Sequence, residues 1–324
     1  MWAYVFRRVA YNIPVFLGIV LFVMLALRVH DPVYALLGKN ARPEDVIKKR
    51  EDVGLDKPFV QQYVTFLGTF DLGTRSWVVQ PGRTVGEILS KAVVPSLSLT
   101  LPALVLTSFL SICVGIIASY FRGRTVDRSL VLVAVLGMSV SFLVYIILGQ
   151  YFGAYLMARE LDIEWFAISG YENWIGLNPA RFDPTIWAHF CLLPVLISVI
   201  VAMGYDTRFY RAVMVEESQR DYIITAQAKG ASKAKIMFVH MLKNAMIPII
   251  TRVVISLPFL IMGSILLEVF FGIPGMGRTL IAAVREKDFP IVQSFTAIFS
   301  AIYILTIILT DVLYALVDPR VRLS

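Results

Sequence analysis

Side chains able to do chemistry are few in this chain, and they are scattered. The three histidines, His30, His189 and His240, each fall in a different segment, which is the wrong arrangement for ligands that must converge on one metal ion. Cys113 and Cys191 both lie in apolar runs, where a small apolar residue packs well, and neither a disulfide nor a metal site is expected of them. Nowhere does the chain carry the G-x-x-x-x-G-K-S/T loop whose amides and lysine cradle nucleotide phosphates, so ATP-driven work would need another chain. No catalytic residue and no bound cofactor are expected. What remains is a small set of ionisable residues near apolar surroundings, where charge is costly and function is the default suspicion. Glu268 could hold a gate or an amino group, or be a solvated interfacial carboxylate. Arg252 could snorkel to phosphates, and Asp311 could hydrogen-bond between helices.

The elements that position these residues follow from composition. With 58% hydrophobic and only 16% charged residues, and a mean hydropathy of +0.73, the chain cannot cover a soluble globule with polar surface. A hydrocarbon layer needs roughly 20 apolar residues in helix. Six such windows occur, at about 9–29, 93–120, 130–157, 187–205, 245–271 and 291–317. They lack the dyad alternation of barrel strands, so the expected fold is an all-α membrane protein with six transmembrane helices. The first window follows Arg7 and Arg8 but is too long, and too poor in a small-residue cleavage site, for a signal peptide; it is expected to stay as an anchor.

Orientation follows from Lys and Arg in the short loops. One side collects Arg7, Arg8, Arg122, Arg124, Arg128, the basic residues between Asp206 and Asn244, and then Arg320 and Arg322. The other offers only Arg159, Arg181, Arg278, Arg285 and Lys287. Both termini are therefore expected in the cytoplasm, and the +7 net charge reflects topology and anionic lipid rather than nucleic acid. The expected segments are 1–30, the first span; 31–92, an extracytoplasmic loop subdomain; and 93–324, a five-helix core with cytoplasmic helices at 216–244.

The stretch DYIITAQAKGASKAKIMFVHMLKNAMIPI, starting at Asp221, is polar and basic between two apolar windows. Ser218 followed by Asp221 fits a capping box that would start a helix near Gln219. Lys229 and Gly230 supply a helix stop, and Ser232 caps a second helix running towards Pro248. Ile223, Ala226 and Gly230 share one face of the first helix; Ile236, Val239 and Lys243 share one face of the second, with His240 alongside. A compact helix pair of this kind could rest on anionic headgroups or dock a soluble protein. Entry into a DNA groove is disfavoured by its tether between two membrane spans.

The same stretch resembles the coupling motif, often called the EAA motif, of permease subunits of ABC importers, and within them the dipeptide/oligopeptide/nickel branch. The pattern E/D-Y-I/V-x-x-A-x-A-x-G, then Ile, His, Asn and Pro, falls here on Asp221, Tyr222, Ile223, Ala226, Ala228, Gly230, Ile236, His240, Asn244 and Pro248. FGIPGMGRTLI is similar to a family segment through Phe271, Pro274, Gly275, Met276 and Gly277. GLDKPFVQQYVTFL with DLG, and LVDPRVRL, resemble the branch's first subunit type. The resemblance implies a bacterial inner-membrane permease, one half of a translocation path for peptides, with nickel, opine or another solute as the alternative. A stand-alone secondary transporter is the rival of another class, but no inverted repeat is visible.

The implied partners are a homologous second permease, two cytoplasmic ATPases carrying ATP and Mg, an extracytoplasmic solute-binding protein and membrane lipid. The implied ATPase-coupling residues are Asp221, Tyr222, Ala226, Ala228, Lys229, Gly230, Ile236 and His240, with Pro248 as hinge. Phe271, Pro274, Gly275 and Gly277 would face an outer gate or the binding protein, and Ser139, Ser141 and Glu268 a substrate path. Two departures bear on specificity: Ser141 stands where the family often has Pro, and Gly272-Ile273 where many members have Ser-Trp.

The loop after the first span is patterned. ARPEDVIKKREDVGL reads as a helix with Pro at its first position and acids in its first turn. Phe59, Tyr63, Phe66 and Leu67 fall on one helical stripe of a loop expected to pack over the outer mouth and meet the binding protein, with simple packing on the bundle as the alternative.

Overall fold

A computed structural model describes every residue except 1, 30–32, 34–36, 38–41, 70–71, 175–182, 257–263 and 318–324, and gives no side-chain surroundings for 2–5, 311 and 313–317. His30, Arg181, Arg320, Arg322 and most of LVDPRVRL therefore lie outside the described residues, as does the side chain of Asp311. Twelve helices are named here, in chain order: α1 Trp2–Leu27, α2 Pro43–Asp52, α3 Phe59–Thr69, α4 Val85–Tyr120, α5 Thr125–Ser139, α6 Phe142–Leu161, α7 Pro184–Glu217, α8 Asp221–Ala228, α9 Lys233–Ile255, α10 Ile265–Phe270, α11 Met276–Arg285 and α12 Phe289–Val317. Among the described residues the only strand-like pairing is one isolated bridge, Arg75 with Thr84. Six helices (within α1, α4, α6, α7, α9 and α12) are long and apolar enough to cross a membrane. Large apolar side chains such as Phe22, Phe109 and Leu305 are mostly exposed on them, an arrangement that lipid favours and water opposes.

Two compact units divide the chain, Met1–Ser96 with Pro274–Ile308, and Leu97–Ile273 with Leu309–Ser324. They cut differently from the segments read in the sequence, because the described residues of the 31–92 loop belong to the same unit as the first helix. Helix α2 begins as expected, with Pro43 at its first position and Glu44 and Asp45 in its first turn. The stripe Phe59, Tyr63, Phe66 and Leu67 on α3 packs against Val20 and Met24 of α1 and Ala297 of α12. Tyr63 also donates to the Leu17 carbonyl at 2.9 Å. The stripe is partly buried, packed on the helices of this unit. Further along the loop, fully buried Asp288 accepts at Oδ2 from Ser76 Oγ (2.5 Å), Val78 N (2.9 Å) and Val79 N (3.0 Å), fixing the loop to the start of α12.

In the second unit, α7 is the central element. Asp183 caps it, accepting from Thr185 N at 2.9 Å, with Pro184 at the first position. It crosses α5 so closely at Gly204 that a Cβ there would lie 2.8 Å from the Ala134 carbonyl, and it meets α4 where a Cβ on Gly115 would lie 3.0 Å from Tyr210. Such small residues let apolar helices approach where packing alone must hold them.

Three expectations are corrected. The third window is not one helix: the chain is extended at Val140 and Ser141, between α5 and α6. No proline forces this break. Tyr145 Oη donates to the Gly137 carbonyl at 2.9 Å, occupying the acceptor that an unbroken helix would pair with the Ser141 amide. The fourth span continues as helix to Glu217, and α9 runs unbroken from Lys233 through Pro248. The second predicted short helix is thus the first part of the fifth span, and Pro248 lies inside that span rather than at its start.

Candidate functional site: a protruding helix and an ion-paired cavity

The one short helix left between α7 and α9 is α8, and it is shaped by both ends. Ser218 does not cap it; that residue closes α7, its hydroxyl donating back to Val215 O at 2.6 Å, and α8 starts behind Arg220 without a side-chain cap. At the far end Gly230 takes φ +76°, its amide donating to Gln227 O (2.9 Å) while the Ala231 amide donates to Ala226 O (3.1 Å). These paired bonds are a Schellman stop, a conformation suited to glycine. Ser232 then caps α9, accepting from Lys235 N at 3.3 Å.

One face of α8 is anchored. Ile223 and Ala226 are buried with Ile116, Tyr210, Met214, Ile236, Met237 and Met241. Tyr222 is half-buried and donates from its hydroxyl to Glu217 Oε2 at 2.6 Å; Lys233 donates to the Tyr120 carbonyl at 2.7 Å and lies over that ring. The opposite face is open: Asp221, Ile224, Ala228, Lys229 and Gly230 are exposed, Ile224 at 64%. Nothing lies within 4 Å of where a Cβ on Gly230 would stand. Of the expected coupling residues, then, Asp221, Ala228, Lys229 and Gly230 are presented outwards, Tyr222 and His240 partly, while Ala226 and Ile236 support the helix from inside. Ile224 was missed, although an isoleucine opposite Ile223 and Ala226 already gave the helix a second apolar face.

In α9 the buried set is Ile236, Met237, Met241 and Ala245, whereas Val239 is 52% exposed and Lys243 is exposed too. A π-helical turn over Ile236–Met241 inserts an extra residue and shifts the face that a regular 3.6-residue period would give.

Beneath this region Asp127 of α5 is buried and accepts from Arg211 Nε (2.6 Å, on Oδ1), from Arg211 Nη2 (2.7 Å, on Oδ2) and from Gly123 N (2.9 Å, on Oδ2). The Arg211 hydrogen bonds hold its carboxyl below the ordinary carboxylate range, against burial, which pushes the other way. This pair ties the α4–α5 turn to α7.

A second ion pair lies elsewhere on α7. Arg252 of α9 donates through Nε (3.1 Å) and Nη2 (3.0 Å) to Oδ1 of Asp206, and its guanidinium lies over the Phe209 ring. Arg252 therefore has a protein partner and is not a simple snorkelling cation. The pair borders a cavity of about 390 Å³ within the second unit, also lined by Thr107, Ser198, Ser256 and Ser264.

The other expected path residues lie apart from it. Ser139 and Ser141 sit exposed at the α5–α6 break, and neither lines the cavity. Glu268 is completely buried, so it is no solvated interfacial carboxylate. In FGIPGMG, Phe271, Gly275 and Gly277 are buried, and Pro274 alone of the four expected contact residues is exposed. His189 turns Nδ1 to the Trp165 carbonyl at 3.1 Å, a packing role.

Six helices long and apolar enough to cross a membrane, a short helix presented between two of them, and a mostly apolar cavity bordered by an ion pair define a multi-pass membrane component. The chain belongs to the family described as binding-protein-dependent transport system inner membrane component, which matches residues 111–323; the N-terminal region of such membrane components matches residues 1–82. Among similar proteins are the probable peptide ABC transporter permease protein y4tP of Sinorhizobium fredii, 32% identical over 99% of this chain and 100% of that protein, and the oligopeptide transport system permease protein AppB of Bacillus subtilis, 29% identical over 99% and 100%. The glutathione transport system permease protein GsiC of Salmonella choleraesuis is 31% identical over 99% of each chain. The protein is thus a multi-pass inner-membrane permease of an ABC importer, a class that works with ATPase and binding-protein partners.

Proposed function

We propose that this chain forms half of the translocation path of an ATP-driven importer for peptides, beside a homologous second permease. Two ATPases would act from the cytoplasmic side, and a solute-binding protein would deliver from the other. The likeness to relatives named for peptide, oligopeptide and glutathione transport supports the solute class. The observation that carries the mechanism is α8: a helix anchored on one face by Ile223 and Ala226 and open on the other at Ile224, Ala228 and Gly230. Such a helix is a lever. A socket that closes on its open face pulls directly on α7 through the Tyr222–Glu217 bond, and on α9 through the shared core, which turns a clamp's motion into movement of the membrane helices. Gly230 and Pro248 remain the candidate pivots.

Reconstitution tests this reading. Proteoliposomes carrying both permeases, the ATPases and the binding protein should accumulate labelled dialanine only with ATP. Accumulation by the permeases with the ATPases omitted would overturn the ATP-driven reading in favour of a self-sufficient transporter.

A further inference from the structure

The Asp206–Arg252 pair is incompletely used. Asp206 Oδ1 takes both guanidinium N–H bonds, while Oδ2 and Arg252 Nη1 have no hydrogen-bond partner among the described residues. Both residues sit on helices apolar enough to cross a membrane, where an ion pair stabilises little relative to apolar packing and ionisable groups mark function. A second observation points into the same cavity. Thr107 is 3% exposed, and its Oγ1 has no partner. Helical Thr69, Thr251, Thr279 and Thr306 each donate to the carbonyl four residues back, the ordinary way a hydroxyl is satisfied within a helix. Thr107 does not, and it lines the cavity with the ion pair. A buried hydroxyl without a partner, a carboxylate oxygen and a guanidinium nitrogen thus border one space, whose volume of about 390 Å³ falls in the range of small-molecule sites.

We propose that this cavity is a transit site for a zwitterionic solute of the short-peptide class, its carboxylate on Arg252, its ammonium on Asp206 and a further polar group on the Thr107 hydroxyl. The inference rests on the peptide reading above and adds the place and the charge rule. Because the pair is neutral overall, a zwitterion leaves the site neutral. A solute blocked at one end brings net charge to a mostly apolar surface and is disfavoured.

The test uses the assembled importer with its ATPases and binding protein in proteoliposomes. The double variant Asp206→Asn with Arg252→Gln removes both charges while leaving two polar side chains that can hydrogen-bond. Its dialanine uptake should fall about ten-fold or more, the loss expected for a charge-assisted contact, with subunit assembly unchanged. In a separate Thr107→Cys variant, dialanine should slow mixed-disulfide formation with a small methanethiosulfonate, and N-acetyl-dialanine, which keeps only its carboxylate charge, should not. Wild-type dialanine uptake by the double variant, or Thr107→Cys modification indifferent to dialanine, overturns the site while leaving the peptide reading standing. If the double variant fails to assemble, the thiol-modification result decides. Should the wild-type importer move no peptide at all, the peptide reading falls and this site falls with it.

Discussion

The two ion pairs on α7 differ in one respect that separates structure from function. At Asp127–Arg211 both carboxylate oxygens are occupied, one by Arg211 and the other by Arg211 and the Gly123 amide, and the arginine side chain is 28% exposed. At Asp206–Arg252 a single oxygen carries both bonds, and the arginine side chain is 42% exposed. A saturated pair has nothing left to offer a ligand and serves to hold helices in place. An unsaturated pair on a cavity keeps capacity in reserve.

Breaking each pair should therefore give opposite phenotypes. Asp127→Asn should cost the most stability, about 3 kcal/mol, the low end for stranding one partner of a buried pair, read from the unfolding midpoint of purified protein. Because the Asp127 carboxyl is depressed in the folded state, its contribution is present above the ordinary value of 3.8 and is lost as pH falls from there through the folded value. The acid-side decline of the wild-type midpoint should be shallower in Asp127→Asn. Arg252→Gln should cost under about 1 kcal/mol, as for a partly exposed pair, yet abolish peptide uptake. Equal destabilisation by the two variants would erase the distinction.

Smaller effects sharpen the same contrast at α8, where supports and presented surface can be varied separately. Ser232→Ala removes the α9 cap and should cost about 1 kcal/mol with uptake lowered only in proportion to folded protein. Gly230→Ala meets no neighbour but must hold φ +76°, a strain of about 1 kcal/mol. Gly230→Asp should insert normally and lose the ATPases, and normal uptake by that variant would count against coupling through this turn.

Much of this was legible in the residues. The apolar windows announced six spans, Pro43 with its acidic neighbours announced α2, and the stripe Phe59, Tyr63, Phe66 and Leu67 announced a packed helix, because each rests on a local period or cap. What escaped depended on partners distant in sequence. The break at Val140 is held by a hydroxyl from Tyr145 and has no proline to betray it. The face of α9 is rephased by a π-helical turn that composition does not encode. Arg252 reads as a snorkelling cation in the sequence because its partner, Asp206, lies on another helix, just beyond the 187–205 apolar window. At α8 the motif gave the right segment but mixed inward supports such as Ala226 and Ile236 with outward residues, and it omitted Ile224.

The central claim, that the open face of α8 is where ATP-driven force enters, can be tested by proximity. In the assembled importer, Ile224→Cys labelled with a benzophenone maleimide should cross-link to an ATPase subunit on illumination, and the same label on Leu132→Cys, exposed on α5, should not. Absence of any ATPase adduct from position 224 in a complex that still hydrolyses ATP and transports dialanine would contradict the account.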